Sequence, residues 1–216
     1  PSIQIDGNDS NWADVKPLSD NGMLKANWDE AYLYLHIAVN DFDSKAYWVP
    51  IDTIAGEGNT SFLGSVFDRP ADFLLVLDGR QNTRLLVDPY YNANYKRYGL
   101  EVFTKDQQDE FNVSGSGRFI AVQQVISNLM HMPKTGQIVP VQLWDTGKMR
   151  YGISNPDNPA YDSIADFCAG NGFVEIRIPW MLLNVADPSS GEILANLHSE
   201  GGFQFERIKQ IYLGLG

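Results

Sequence analysis

The chain is 216 residues long and carries 27 acidic against 16 basic side chains, a formal net charge of −11. Proteins that bind nucleic acid or anionic membranes draw affinity from clustered Lys and Arg, so an acidic chain with no basic run is excluded from both classes. At 44% hydrophobic and 12% aromatic residues, the composition is that of a packed domain rather than a disordered one.

Strand signals dominate in chain order. Residues 24–28 form the first run. In residues 31–39, Leu33, Leu35, Ile37 and Val39 alternate with Tyr32, Tyr34 and His36, the period of two expected of a strand. Residues 47–53 follow. Residues 72–78 are continuously apolar between acidic ends, which predicts a central strand covered on both faces. Residues 83–88 are placed to pair with it across a connection at 79–82, longer than the tightest hairpin. Tyr91, Tyr95 and Tyr98 are spaced i, i+4, i+7, a short helical stripe whose simplest use is packing. Further strands are predicted at 119–126, 173–178 and 208–213. Pro179 to Leu183 can open a helical turn with Pro at its first position, stopped by Asp187-Pro188. Gly, Asn, Asp and Pro cluster at 5–9, 56–60, 114–117 and 154–159, as loops do.

These elements predict an all-β antiparallel sandwich of immunoglobulin-like or jelly-roll type, with long loop insertions and one or two short helices. With no internal repeat or linker-like tract, one module spanning 1–216 is expected, with its loops elaborated at about 89–170. The single cysteine, Cys168, excludes an intrachain disulfide, and three dispersed histidines offer no zinc cluster. No apolar run is long enough to cross a bilayer as a helix. The chain opens on Pro1 with no signal-peptide core before Ile3, which reads as a module taken from a longer, exported parent.

Three blocks carry a family resemblance. Ile5-Asp6-Gly7 with Trp12 leads into Ala26-Asn27-Trp28-Asp29-Glu30-Ala31-Tyr32-Leu33-Tyr34-Leu35 and Val39-Asn40-Asp41. Ala71-Asp72-Phe73 runs to Leu77-Asp78, and Val174-Glu175-Ile176-Arg177-Ile178-Pro179-Trp180 closes the set. Together they resemble family 9 carbohydrate-binding modules, within the wider DOMON-like group of β-sandwiches. The first block is itself scaffold by its patterning, so Trp12, Trp28 and Trp180 are expected to pack rather than to bind.

The resemblance implies a secreted or cell-surface module that holds plant or microbial polysaccharide between two aromatic rings, with a polar rim. That chemistry suits a pyranose, whose C–H faces stack on flat rings while its hydroxyl edges take hydrogen bonds. Phe67 stands nearest to the place of one clamp tryptophan, and no Trp follows Trp180 where the second belongs, so the chain departs from the family at the clamp on which its reducing-end specificity rests, and end or internal binding both stay open. Replacement aromatics lie in KAYWVP (Trp48), QLWDTG (Trp144) and DPYYNANYKRYG (Tyr91 among them). Trp144, before an Asp-Thr-Gly turn, is the leading stacking candidate. Arg69 and Arg84 are candidate rim donors. The family also binds structural calcium, for which Asp41 and Asp43 are the matching carboxylates.

Other functions compete. A glycoside hydrolase or lyase needs two carboxylates at a defined separation, which a chain with 27 acidic residues does not discriminate by count. No G-x-S-x-G, H-E-x-x-H or Walker loop is present. Met130-His131-Met132 invites a haem reading, but adjacent residues do not supply opposed axial ligands. An accessory sandwich that only packs against neighbouring domains of its parent is the blandest alternative.

Overall fold

A computed structural model describes residues 3–93, 104–127, 130–140, 142–198 and 202–216. In chain order the strands are β1 (Leu24–Trp28), β2 (Tyr32–Ile37), β3 (Tyr47–Asp52), β4 (Asn59–Phe62), β5 (Ser65–Ala71), β6 (Phe73–Leu77), β7 (Arg84–Val87), β8 (Ile120–Ala121), β9 (Gln123–Ser127), β10 (Met130–Met132), β11 (Gln137–Val139), β12 (Gln142–Asp145), β13 (Phe167–Ala169), β14 (Val174–Pro179), β15 (Val185–Asp187), β16 (Glu192–Asn196), β17 (Gln204–Arg207) and β18 (Tyr212–Leu213). Among the described residues two short α-helices join them, α1 (Gly79–Asn82) and α2 (Lys105–Phe111).

The framework is all-β and antiparallel. One sheet has the order β1-β2-β14-β13 and the other β18-β3-β6-β7-β8. Between them lies one core, to which β2 gives Leu33, Leu35 and Ile37, β14 gives Ile176 and Ile178, β3 gives Val49 and Ile51, and β6 gives Phe73, Leu75 and Leu77. Period-2 alternation thus does what it predicts on β2. The continuous run of β6 is also explained, because its other face is covered as well: Leu74 and Val76 pack with Leu86 under Trp48, Phe62, Phe67 and Phe119.

The second face of β2 is covered in the same way. Tyr34 joins Ile3, Ile5, Trp12 and Cys168 in a smaller apolar cluster, and the His36 ring stacks on Phe173 at 4.7 Å between centroids. Glu175, fully buried on β14, fixes this layer by accepting from the backbone N–H of Asp6 (2.8 Å) and Gly7 (2.5 Å) and from the Trp12 indole N–H (3.0 Å). The turn between β1 and β2 is tied by Asp29, which accepts from Ala31 N (2.8 Å), Tyr32 N (2.9 Å) and the Tyr34 hydroxyl (2.7 Å).

Several sequence expectations need correction. Residues 180–183 form a 3₁₀ turn with Pro179 at its N-cap rather than inside it, and Asn184 in the left-handed conformation ends the turn before Asp187 is reached. Only Tyr212–Leu213 of the stretch 208–213 is strand. Tyr91 closes a 3₁₀ turn (Pro89–Tyr91), while Tyr95 and Tyr98 lie outside the described residues. The loop at 56–60 is specified by Gly58, whose φ of +97° and approach to Ala71 leave no room for a Cβ, which would lie 2.4 Å from the Ala71 carbonyl oxygen.

Two buried carboxyls give the fold a pH signature. Burial is the leading cause that pushes Asp72 up to about 7 from an ordinary 3.8, against the pull of hydrogen bonds from Thr53 and Ile54, and Glu175 likewise rises to about 7 from 4.5. The unfolded chain releases these protons first, so the stability they contribute is complete below pH 4 and is lost as pH rises towards 7. Urea unfolding across that range should show the decline. The Asp72→Asn variant, which keeps one oxygen to accept from the Thr53 and Ile54 donors, should flatten it; an unchanged slope would count against the assignment.

Candidate functional site

The outward face of β3 places Trp48, Pro50 and Asp52 in a row because Val49 and Ile51 point into the core. The run 212–216 lies against that strand: Tyr212 pairs with Asp52 and Leu213 with Ile51. Gly214 N then donates to the Pro50 carbonyl (3.0 Å), and Trp48 and Gly216 exchange backbone bonds at 3.0 and 2.9 Å. From the other side comes β5, on which Phe67 is half-buried and Arg69 exposed. The three segments enclose an open groove of about 260 Å³ lined by Trp48, Asp52, Phe67, Arg69 and Tyr212 among others.

Its polar centre is ordered. The Arg69 Nε donates to Asp52 Oδ2 at 2.9 Å, and the guanidinium lies 3.6 Å from the centroid of the Tyr212 ring, a cation–π contact. Asp52 is 3% exposed, and among the described residues its Oδ1 finds no hydrogen-bond partner; the Trp48 indole N–H is buried and finds none among them either. Buried groups of this kind are met by ordered water. The walls are rigid because the aromatics brace one another: Trp48 sits edge-on to Phe62 (5.7 Å), Phe62 to Phe119 (6.0 Å), and Phe67 lies 6.3 Å from Phe119. A flat apolar wall, a guanidinium and a buried carboxylate on one groove can hold a ring with one apolar face and hydroxyl edges.

Three residues singled out from the sequence, Trp48, Phe67 and Arg69, therefore meet in one place. Trp48 does so from the outward face of β3, its ring also covering Leu74 and Val76. Tyr212 and Asp52 were not anticipated: each is unremarkable in its own segment, and only the pairing of residues 212–213 with β3 brings them together. The other expectations fall elsewhere. Trp144, 63% exposed on β12, lines a separate groove with Arg80, Lys148, Arg150 and Tyr151. Arg84 is exposed on β7, bridging in backbone to Lys148. Tyr91 is 2% exposed and packs into the main core, so it presents no face to a ligand.

Trp12 and Trp180 pack as expected, the latter donating its indole N–H to the Asp29 carbonyl at 2.8 Å. Trp28 does not: it is 66% exposed at the end of β1. The carboxylates expected to take calcium are engaged by side chains of the chain itself. Asp41 is engaged by Lys45 (2.7 Å) and by the Tyr47 hydroxyl, which hold its carboxyl below the ordinary range, and Asp43 pairs with Arg80 (3.3 Å). Among the described residues no group of three or more His, Cys, Asp or Glu is placed to hold a metal. The side chains of Met130 and His131 lie outside the described residues.

Comparison of the chain with protein families, curated proteins and solved structures returned no match in any of the three.

Scaffold and surface aromatics separate in a simple experiment. Tyr91→Ala should cost about 3–5 kcal/mol in urea unfolding, as a large core truncation does, whereas Trp144→Ala should stay within about 0.5 kcal/mol of the parent chain. Equal effects of the two substitutions would contradict this division.

Proposed function

We propose that this chain is a noncatalytic carbohydrate-binding module, and that it holds a neutral polysaccharide or oligosaccharide in the groove between β3, β5 and residues 212–216. The observation that carries the reading is the convergence of Trp48, Phe67, Tyr212 and Arg69 around the buried Asp52 carboxylate. Rings supply stacking surface for the apolar face of a pyranose. Arg69 donates to ring hydroxyls, with the buried Asp52 carboxylate holding its guanidinium in place.

Binding rather than hydrolysis is favoured by where the carboxyls stand. Asp52 is buried and paired with Arg69, so it orders the guanidinium and is not presented to a scissile bond. The carboxyls whose protons burial retains, Asp72 and Glu175, are spent on backbone and indole donors inside the scaffold. The family resemblance read from the sequence agrees with this reading in kind, with different residues at the clamp.

Affinity electrophoresis through gels containing xylan, glucomannan, mixed-linkage β-glucan or galactan tests it. At least one polysaccharide should retard the chain, and Arg69→Ala or Phe67→Ala should weaken retardation at least about tenfold, equivalent to about 1.4 kcal/mol. Trp144→Ala should leave it unchanged. Loss of retardation with Trp144→Ala alone would move the site to the groove beside Arg80 and Lys148, and release of reducing ends from any of the polymers would replace binding by catalysis.

A further inference from the structure

The groove does not end at Tyr212. Asp52 and Tyr212 also line a second depression of about 240 Å³, whose other walls are Thr53, Ala55, Lys209 and Gln210. Residues 208–210 in turn line a third, of about 420 Å³, that passes the edge of residues 208–213 and reaches Trp28. Adjacent depressions thus share side chains: the first two meet at Asp52 and Tyr212, the second and third at Ile208, Lys209 and Gln210. Gln210 donates from Nε2 to the Tyr212 hydroxyl, so the floor between the first two is a connected surface rather than a ridge of loose side chains.

Size says what such a series can take. Pockets that enclose a drug-sized molecule run about 300–1,000 Å³. The first two depressions fall below that range and suit about one ring each, and the third, of about 420 Å³, lies at its lower end. An end-recognising site is a single closed pocket around a terminal ring. Here the depressions are open and follow one another, with aromatic surface at both extremes: Trp48, Phe67 and Tyr212 at one, and Trp28 at the other. The exposure of Trp28, which costs apolar hydration on a strand whose other members are partly or fully covered, is accounted for if a ring stacks there.

We infer that the three depressions are successive subsites of one open track, and that the ligand is an internal stretch of a polysaccharide several sugar units long, running from Trp48 and Phe67 past Tyr212 and Lys209 to Trp28. This rests on the carbohydrate-binding reading above and adds to it the mode of recognition. Lys209, exposed on the shared wall, donates to the hydroxyls of the middle of the bound stretch, and Trp28 stacks on its far unit. Affinity then accrues with chain length, and the chain end plays no part.

Calorimetric titration with cello-, xylo- and manno-oligosaccharides from monomer to hexamer tests the length dependence, and gel retardation on the parent polysaccharides before and after borohydride reduction of their ends tests the end. Affinity for the bound series should climb at least about tenfold from dimer to hexamer, and reduction should leave retardation unchanged, with many protein molecules bound per chain. Trp28→Ala and Lys209→Ala should each lower the hexamer-to-dimer affinity ratio by at least about threefold; both side chains are exposed, so folding is not at stake. Affinity that levels off at the disaccharide, retardation abolished by reduction, or a ratio unmoved by both substitutions would overturn the track while leaving carbohydrate binding intact. Failure of every glycan to bind would overturn the reading beneath it.

Discussion

The strand Phe73–Leu77 has no polar side chain and no exposed face, and most of the molecule follows from having to cover it twice. Its inner residues are covered by the opposite sheet. Its outer residues, Leu74 and Val76, need a second cover, and the chain supplies one from β3, β4, β5 and residue 119 in the form of Trp48, Phe62, Phe67 and Phe119. Large flat rings are economical covers, since each buries much area with few rotatable bonds. A cover built of rings is also a surface built of rings. The groove is what remains where that layer meets solvent, so the constraint that stabilises the sheet also creates the stacking wall.

With no disulfide to close its loops, the chain ties them with buried carboxylates. Asp72 receives the Thr53 and Ile54 amides, Asp88 receives those of Tyr90 and Gly115, and Glu175 receives those of Asp6 and Gly7. Each acid sits at or inside a strand and reaches a loop distant in sequence. A carboxylate accepting two or three N–H groups satisfies donors that would otherwise be orphaned by a non-repetitive loop. Desolvation offsets part of that gain, which is why burial leads the shifts at all three sites.

The sheets were legible because their signal is local. Alternation over β2 and the apolar run of β6 are written in consecutive residues, and so are the turn at Asp29 and the glycine-rich loops. The short helical turn after β14 was read with its caps displaced, because Asn184 adopts a left-handed conformation that no local pattern announces. Site residues divide along the same line. Phe67 is found through its place in the family resemblance, Arg69 as a guanidinium two residues on, and Trp48 as a large ring among turn-forming neighbours. Asp52 and Tyr212 become a pair only through register between segments 160 residues apart, which no single window contains. Burial is equally non-local: Tyr91 and Trp28 are both aromatics beside polar neighbours, yet one is core and the other solvent-facing, according to which loops fold over them.

Residues 212–216 lie along the otherwise open side of β3, occupying backbone groups that an unpaired strand would offer to any other extended chain. They also carry the Tyr212 ring that Arg69 overlies. One short segment therefore guards the sheet against edge-to-edge association and forms part of the groove wall. Peeling it away would expose β3 and dismantle the groove in a single step. A ligand resting on Tyr212 would hold the segment down by mass action, so occupancy of the groove and resistance to self-association are coupled through the same few residues.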